Sequence, residues 1–221
     1  NCLTPAMANM PRIGVLGVGT IASATVRGLC SLRGKFPLTV VLSPRNAQKA
    51  EKLRDEFPEI IRVANSNQEV IDSSDCLLVA VLPSQAAMLS ELRFRPGQQL
   101  VSLMAGLYPR QLRELCAVDM PISVVIPYCS IARGEGAALL LEPSPAALAI
   151  FEILGRCVTV ESEEKFRYLA CVSGLMGNFY KQQLTVQQWL KSHGVEADIS
   201  SAWIGASYAA FAADSATAET D

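Results

Sequence analysis

The sequence is poor in the residues that build metal sites and disulfide frameworks. It has a single histidine, His193, and its seven cysteines are scattered without any C-x-x-C pair. An odd number of cysteines without motif spacing is typical of reduced thiols and argues against a zinc site. We therefore expect a cytoplasmic protein whose chemistry uses no bound metal.

Long apolar runs and blocks of like charge are also missing. No stretch reaches the roughly 18–20 apolar residues that a membrane span needs, and the opening segment does not resemble a signal peptide. The formal net charge of −2 is spread over 221 residues, which argues against nucleic acid or a membrane surface as a partner. Half of the residues are hydrophobic, so the chain can bury a sizeable core.

Short apolar runs alternate with helix-like segments through most of the chain. The predicted strands lie at 12–18, 38–42, 61–64, 76–82, 99–104, 122–127, 136–143 and 157–160. Strands that are apolar throughout, separated by helices, indicate a parallel sheet covered on both faces. The pattern predicts a doubly wound, Rossmann-type α/β domain over residues 1–161.

The remaining residues, 162–221, have a helical pattern. A long helix is predicted from Glu163 to about Lys191, where Gly194 follows as a C-cap, and a second helix covers about 199–214. Roughly sixty residues of mostly apolar helix are too few to form a good core alone. This segment must therefore pack on the first domain or on another subunit.

The second of these helices has the composition of an interface. It is rich in Ala, Gly and Ser, which permit close helix approach, and it carries Trp203, Tyr208 and Phe211. Aromatic side chains bury large areas and dominate the energetics of many interfaces. We predict a homodimer formed through the C-terminal helices, with these aromatics as anchors.

A phosphate-binding motif, G-x-G-x-x-A, begins at the end of the first predicted strand and occupies positions 17–22. Gly17 permits the tight turn, Gly19 lets the backbone approach a pyrophosphate, and Ala22 lets the helix pack closely on the sheet. Thr20 and Ile21 open that helix, whose N-terminus faces the phosphates. The position between a strand and a helix favours dinucleotide binding over an unliganded glycine turn.

The end of the second strand favours NADP(H) over NAD(H). About 20 residues after the glycine motif, NAD-dependent proteins carry an acid that holds the ribose 2′-hydroxyl. This chain has Ser43 there instead, followed by Arg45 and Asn46. A guanidinium and small polar groups attract a 2′-phosphate that a carboxylate would repel. The alternative is that Arg45 only solvates a loop.

Several later stretches together resemble the pyrroline-5-carboxylate reductases. "VAVLPSQ" (79–85) is similar to the Val-Lys-Pro-Gln motif of that family, and "VSLMAG" (101–106) to its Ser-x-x-Ala-Gly strand. "VVIPYCSIARGEGAALL" (124–140) resembles the Met-Pro-Asn-Thr-Pro segment near the reacting centre, and "VSGLMGNFY" (172–180) the start of the helical dimerisation domain. Asn67 stands where the family has an asparagine that contacts the cofactor ribose.

The resemblance implies an enzyme that reduces a cyclic imine with NADPH, most simply 1-pyrroline-5-carboxylate to proline. It adds cofactor contacts to those of the glycine motif, at Asn67, Val81, Pro83, Ala105 and Gly106. It also implies residues near the substrate, at Tyr128, Ser130, Ser173 and Gly174.

The departures from the family leave the substrate open. Leu82 replaces the motif lysine, Tyr128-Cys129-Ser130 replaces Asn-Thr-Pro, and no Ser-Pro-Gly-Gly-Thr-Thr segment is found. We expect either a shortened chain or a divergent one with another substrate. An NADP-dependent oxidoreductase of the β-hydroxyacid type, with Lys181 as its only candidate lysine, is one alternative. A non-catalytic nucleotide-binding or regulatory protein is another.

Overall fold

A computed structural model of the chain describes residues 10–32 and 37–217. The opening segment, to which the expectation about a signal peptide refers, lies outside these ranges. Within them, eight strands form one sheet in the order β3-β2-β1-β4-β5-β6-β7-β8. The strands are β1 Ile13–Leu16, β2 Val40–Leu42, β3 Ile61–Val63, β4 Cys76–Val79, β5 Gln99–Ser102, β6 Ile122–Pro127, β7 Gly136–Leu141 and β8 Gly155–Val160.

Helices separate most of these strands, as the alternating pattern predicts. The α-helices are α1 Thr20–Ser31, α2 Ala47–Glu56, α3 Asn67–Asp72, α4 Pro109–Cys116, α5 Pro145–Phe151, α6 Glu163–Cys171, α7 Leu175–Ser192 and α8 Ala197–Thr217. Shorter 3-10 helices cover Pro44–Asn46, Pro83–Glu91, Cys129–Arg133 and Val172–Gly174. The segment after Pro83 is therefore a 3-10 helix and not an α-helix.

The sheet is covered on both faces, which confirms the doubly wound architecture. Successive side chains of a strand point to opposite faces. Along β4, Cys76 and Leu78 accordingly belong to one hydrophobic cluster, and Leu77 and Val79 belong to another. Helices α1, α2 and α5 contribute to the first cluster, whereas α3, α4 and α6 contribute to the second.

The sheet is mixed, although the pattern of continuous apolar strands predicts a parallel one. Strands β1 to β6 pair in parallel, but β7 runs antiparallel to β6, with Val124 opposite Leu141. Only residues 128–135 connect these two strands, and a parallel crossover needs a dozen residues or more. A strand that returns after so short a connection must run in the opposite direction.

The chain divides into two compact units, Asn1–Leu169 and Ala170–Asp221. The division falls later than the predicted boundary after residue 161 because α6 belongs mainly to the first unit. Phe166 on α6 is fully buried in the second hydrophobic cluster and meets the ring of Tyr108 edge-on at 6.4 Å between centroids. We call these parts the sheet unit and the helical unit.

The helical unit consists mainly of α7 and α8, which pack against each other. The ring centroids of Phe179 and Tyr208 lie 4.6 Å apart, and the Gln187 amide donates to the Ser201 hydroxyl at 3.3 Å. Gly194, with a φ of +79°, ends α7 as predicted. Within the described ranges, no helix has both the length and the apolar content that a bilayer crossing requires.

Candidate dinucleotide-binding site

The glycine motif forms a tight turn between β1 and α1. Gly17 has a φ of +91°, and a Cβ at this position would lie 2.8 Å from the backbone carbonyl of Ala80. Only glycine fits without strain, since L side chains rarely adopt this conformation. Gly19 caps α1 without a side chain that could occupy the first backbone N–H groups. Those groups remain available to a ligand, as at other helix N-termini.

The start of α1 is arranged as the motif predicts. Thr20 is exposed and Ile21 half-buried in the first turn, where the Ile21 carbonyl accepts a hydrogen bond from the Thr25 hydroxyl at 2.9 Å. Ala22 is 1% exposed and packs in the first hydrophobic cluster. Its small side chain lets the helix lie close to the sheet, so the N-terminus of α1 is held directly over the loop.

A cavity of about 400 Å³ opens beside this loop. Its lining residues come from the ends of β1, β2 and β4 and are Gly17, Val18, Gly19, Arg45, Asn46, Ala47, Ala80, Val81, Leu82 and Gln85. Arg45 is the charged residue of this lining, which contains no acid. Positive charge beside exposed backbone N–H groups fits a ligand with phosphate groups.

Ser43 and Asn67 are joined by a hydrogen bond at the end of β2. The Ser43 hydroxyl is 2% exposed; it donates to Oδ1 of Asn67 at 2.7 Å and accepts from the Arg45 backbone N–H at 3.5 Å. A hydroxyl has one proton to donate. In this arrangement Ser43 therefore positions Asn67 and the backbone of Arg45. From the sequence, Ser43 was instead expected to donate a hydrogen bond to a phosphate.

Arg45 and Asn46 stand at the mouth of the cavity. Asn46 caps α2 by accepting from the backbone N–H of Lys49 at 3.4 Å. Arg45 is exposed and donates from Nη1 to Oε1 of Gln85 at 3.2 Å. Gln85 was not predicted as a site residue, although it ends the stretch "VAVLPSQ". Its separation from Arg45 by 40 positions hides the contact.

The other cofactor candidates lie at or near the same edge of the sheet. Val81 is buried and lines the cavity, whereas Pro83 is exposed and begins a 3-10 helix. Ala105 and Gly106 are exposed in the turn after β5, where Gly106 has a φ of +84°. They do not line the cavity, but they follow the strand next to β4. The carboxyl ends of neighbouring parallel strands are where open α/β sheets bind ligands.

The segment that carries Tyr128 and Ser130 packs against α1. Both residues are half-buried, and the Tyr128 backbone N–H donates to the Ala137 carbonyl at 2.9 Å. A Cβ on Gly28 of α1 would collide with the backbone carbonyl of Ile131 in the 3-10 helix. The helix that begins at the phosphate loop therefore also supports the candidate substrate segment, and both belong to the sheet unit.

Gly136, at the start of β7, has a packing role. A Cβ there would lie 2.6 Å from the backbone nitrogen of Ile131. This glycine is the second of the Gly-Glu-Gly stretch at 134–136. Its close contact with Ile131 gives a structural reason for glycine at this position, because the chain turns back on itself there.

Ser173 and Gly174 do not form a helix N-terminus. The backbone at Cys171, Gly174 and Leu175 is right-handed helical, so the chain passes into α7 without a break. The Ser173 hydroxyl donates to the carbonyl of Ala170 at 2.6 Å. This stretch therefore does not offer a helix N-terminus to a ligand, and the backbone N–H of Leu175 already donates to the carbonyls of Val172 and Ser173.

Two of the cysteines are unsuited to chemistry at neutral pH. Burial raises the pKa of the Cys76 thiol to about 12, and it raises the pKa of the Cys116 thiol to about 12 as well. Nucleophilic cysteines are thiolates, so these two act as small apolar core residues. Cys129, beside the candidate substrate residues, is exposed.

The nucleotide-binding half of the sheet matches a known family model. The model is described as NADP oxidoreductase coenzyme F420-dependent, and it matches residues 12–106. These residues include the glycine loop, Arg45 and Gln85. Fold, loop and family match together are typical of Rossmann-type nicotinamide-dependent oxidoreductases.

Two of the curated relatives that this chain resembles are pyrroline-5-carboxylate reductases. Pyrroline-5-carboxylate reductase 2 of Bacillus subtilis (strain 168) is 24% identical over 179 residues, which cover 76% of this chain and 62% of the relative. Pyrroline-5-carboxylate reductase 1 of Bacillus spizizenii is 26% identical over 176 residues, which cover 78% of this chain and 54% of the relative. This chain thus spans 62% and 54% of the length of these two relatives.

Solved structures share the fold across both units. Pyrroline-5-carboxylate reductase from Streptococcus pyogenes has a TM-score of 0.79 at 19% identity and covers 96% of this chain and 82% of its own. The Plasmodium falciparum enzyme, solved with NADP bound, has a TM-score of 0.80 at 16% identity, with 96% and 81% coverage. In fold, and at low sequence identity, this chain is similar to pyrroline-5-carboxylate reductases, the family that its motifs resemble.

Imine-reducing enzymes share the fold more distantly. A reductive aminase from Aspergillus terreus in complex with NADPH has a TM-score of 0.61 at 17% identity and covers 93% of this chain and 74% of its own. An imine reductase from Pseudomonas sp. has a TM-score of 0.62.

Proposed function

We propose that this chain reduces a cyclic imine with NADPH, with 1-pyrroline-5-carboxylate as the first substrate to test and proline as its product. The observation that carries the proposal is Arg45, the charged residue of an acid-free cavity beside a glycine loop. The similarity to pyrroline-5-carboxylate reductases, one of them solved with NADP bound, supports the cofactor. When bound, NADPH supplies the hydride.

The residues of the sheet unit would hold the cofactor at three places. The loop from Gly17 to Ala22 binds the pyrophosphate through backbone N–H groups at the start of α1. Arg45 and Asn46 contact the 2′-phosphate, and Ser43 holds Asn67 in place beside the ribose. Val81, Pro83, Ala105 and Gly106 are proposed to guide the nicotinamide half along the carboxyl ends of β4 and β5.

The substrate would be held more by position than by acid–base groups. An iminium carbon is already electrophilic, so the protein mainly has to orient it and exclude competing reactions. We propose that Tyr128 and Ser130 border the imine. Tyr128 is larger than the asparagine of the family, so it narrows the pocket or offers its hydroxyl to the ring nitrogen.

A cyclic imine without a carboxylate is the second candidate. Ser173 and Gly174 are proposed to contact the substrate carboxylate, but the Ser173 hydroxyl already donates to Ala170. A substrate carboxylate only accepts hydrogen bonds, so it would have to displace the Ala170 carbonyl as the acceptor of the Ser173 hydroxyl proton. The fold similarity to imine reductases and reductive aminases also favours substrates of this broader kind.

We also propose that the chain forms a homodimer through its helical unit. Trp203, Phe211 and Trp189 are 72%, 62% and 59% exposed, although aromatic side chains of this size are usually buried. Tyr208, the third predicted anchor, already packs on Phe179 within the unit. Exposed apolar area of this extent is typical of an interaction surface.

The cytoplasm is the proposed location. Cys76, Cys116, Cys129 and Cys157 are free thiols, and reduced thiols are typical of reducing compartments. Location of the tagged full-length protein by fluorescence microscopy would test this part of the proposal.

Oxidation of NADPH by the purified chain tests the function directly. The three substrates are 1-pyrroline-5-carboxylate, 1-pyrroline and 1-piperideine-2-carboxylate. We expect turnover of at least one of them, and Lys181→Ala should leave it unchanged because the proposed reaction uses no lysine. Turnover of none by a protein that binds NADPH would favour a non-catalytic role. Loss of turnover in Lys181→Ala would favour the β-hydroxyacid type.

A further inference from the structure

Arg45 and Gln85 bridge the mouth of the cavity from opposite sides. Arg45 follows β2 and Gln85 follows β4, and β1 with its glycine loop lies between these strands. Neighbouring strands are about 4.8 Å apart, so the gap between β2 and β4 is roughly 10 Å. The hydrogen bond from Nη1 of Arg45 to Oε1 of Gln85 therefore spans the opening above the loop.

Gln85 fixes the arginine without neutralising it. Among the described residues, Arg45 takes part in none of the ion pairs, and its partner here is a neutral amide oxygen. A guanidinium has several N–H donors in a rigid fork, so one bond to Gln85 leaves others for a phosphate. A carboxylate at position 85 would instead pair with Arg45 and compete with that phosphate.

We infer that Gln85 is a positioning residue that holds Arg45 over the cavity and thereby sets the preference for a 2′-phosphate. The inference rests on the proposed function, because it assumes a dinucleotide in this cavity. Gln85 acts through Arg45 and has no part in the hydride transfer. It is a specificity determinant that the glycine motif and the end of β2 do not include.

Binding of NADPH, NADH and 2′,5′-ADP to the full chain, measured by calorimetry, tests the inference without any turnover. Gln85→Glu should weaken NADPH and 2′,5′-ADP about tenfold, and Gln85→Ala should weaken them less, because a charge-assisted contact is lost or loosened. Both variants should leave NADH within about twofold. The exposed neighbour Ser84, which does not line the cavity, provides the control Ser84→Ala.

A double-variant cycle separates positioning from direct contact. If Gln85 acts only through Arg45, then Gln85→Ala has no further effect on NADPH affinity in an Arg45→Ala background. An effect that persists in that background, or an equal loss of NADPH and NADH, would overturn the inference. An unmodified chain that binds neither dinucleotide would instead overturn the proposed function, and this inference with it.

Discussion

The two units of the chain differ in how much of their apolar surface they bury. The sheet unit has two hydrophobic clusters, and side chains such as Leu29, Leu78 and Leu112 are completely buried. In the helical unit, Ile204 is the buried hydrophobic residue among positions 170–215, while Trp203 is 72% exposed. The sheet unit therefore folds around its own core, whereas the helical unit leaves most of its large apolar side chains exposed.

This difference also separates what each unit can do. The cavity with the glycine loop is lined entirely by residues of the sheet unit. Nucleotide binding therefore depends on a part of the chain that stabilises itself. The proposed substrate contacts at Ser173 and Gly174 belong to the helical unit, so we expect catalysis to depend more strongly than cofactor binding on the oligomeric state.

The largest effect is expected from the same substitution made in the two units. Gly28→Ala places a Cβ against the Ile131 backbone and 2.7 Å from the Leu154 side chain, so it should cost about 3 kcal/mol of unfolding free energy. Gly177→Ala, in α7 where a Cβ meets nothing within 4 Å, should gain about 0.5–1 kcal/mol in helix stability. Urea unfolding followed by circular dichroism measures both. Equal changes in unfolding free energy for the two variants would contradict the difference in packing between the sheet unit and the helical unit.

The next effect concerns the exposed aromatics. Trp203→Ser and Phe211→Ser should each weaken the proposed dimer by about 2 kcal/mol, or roughly thirtyfold, as expected for aromatic anchors. Analytical ultracentrifugation at several concentrations measures the dissociation constant. NADPH affinity serves as the control and should not change. A wild-type chain that is monomeric at micromolar concentration would refute the dimer.

A smaller effect is expected where Ser43 holds its neighbours. Ser43→Ala removes the hydrogen bond to Asn67 and the weaker one from the Arg45 backbone N–H, but it keeps the Arg45 side chain and its hydrogen bond to Gln85. NADPH should therefore bind about fivefold more weakly, equivalent to roughly 1 kcal/mol. NADH, which lacks the 2′-phosphate, should lose less. Calorimetry with both dinucleotides gives the two values. An unchanged NADPH affinity would mean that Asn67 does not depend on Ser43.

The smallest effect comes from an exposed ion pair near the starts of β1 and β4. Hydrogen bonds from Arg12 hold the pKa of Asp75 below its ordinary value. A lowered pKa stabilises the fold above the unfolded-state pKa of about 4, and this contribution is lost as the pH falls through the folded-state value. Asp75→Asn should therefore cost about 0.5 kcal/mol at pH 7 and less at pH 2.5. A cost that is equal at both pH values would exclude the ion pair as its source.

The sheet unit could be predicted well from sequence because its signals are local. Strand β4 is apolar throughout, and the loop from Gly17 to Ala22 carries its own motif. A short stretch of sequence is therefore enough to predict the strand, and another to predict the dinucleotide-binding loop. The contact between Arg45 and Gln85 could not be predicted, because the two residues are 40 positions apart and meet only through the ends of their side chains. The reversal at β7 was missed because apolar content does not encode strand direction.

The helical unit was predicted only in outline. Helical periodicity and Gly194 locate the end of α7, but the single helix predicted from Glu163 is divided into α6, a 3-10 helix and α7. Periodicity cannot show whether a Ser-Gly pair interrupts a helix, and Ser173-Gly174 turned out to lie in continuous helical backbone. A glycine at position 174 lowers helix stability by only about 1 kcal/mol, so the helical turns on either side continue through it.

Titration of NADPH and NADH into the wild-type chain and into Arg45→Ala tests most directly whether the sheet unit recognises a dinucleotide by its 2′-phosphate. We predict that the wild type prefers NADPH, and that Arg45→Ala loses about ten- to a hundredfold in NADPH affinity while NADH is nearly unaffected. Equal losses for the two dinucleotides, or a wild type that prefers NADH, would contradict the account.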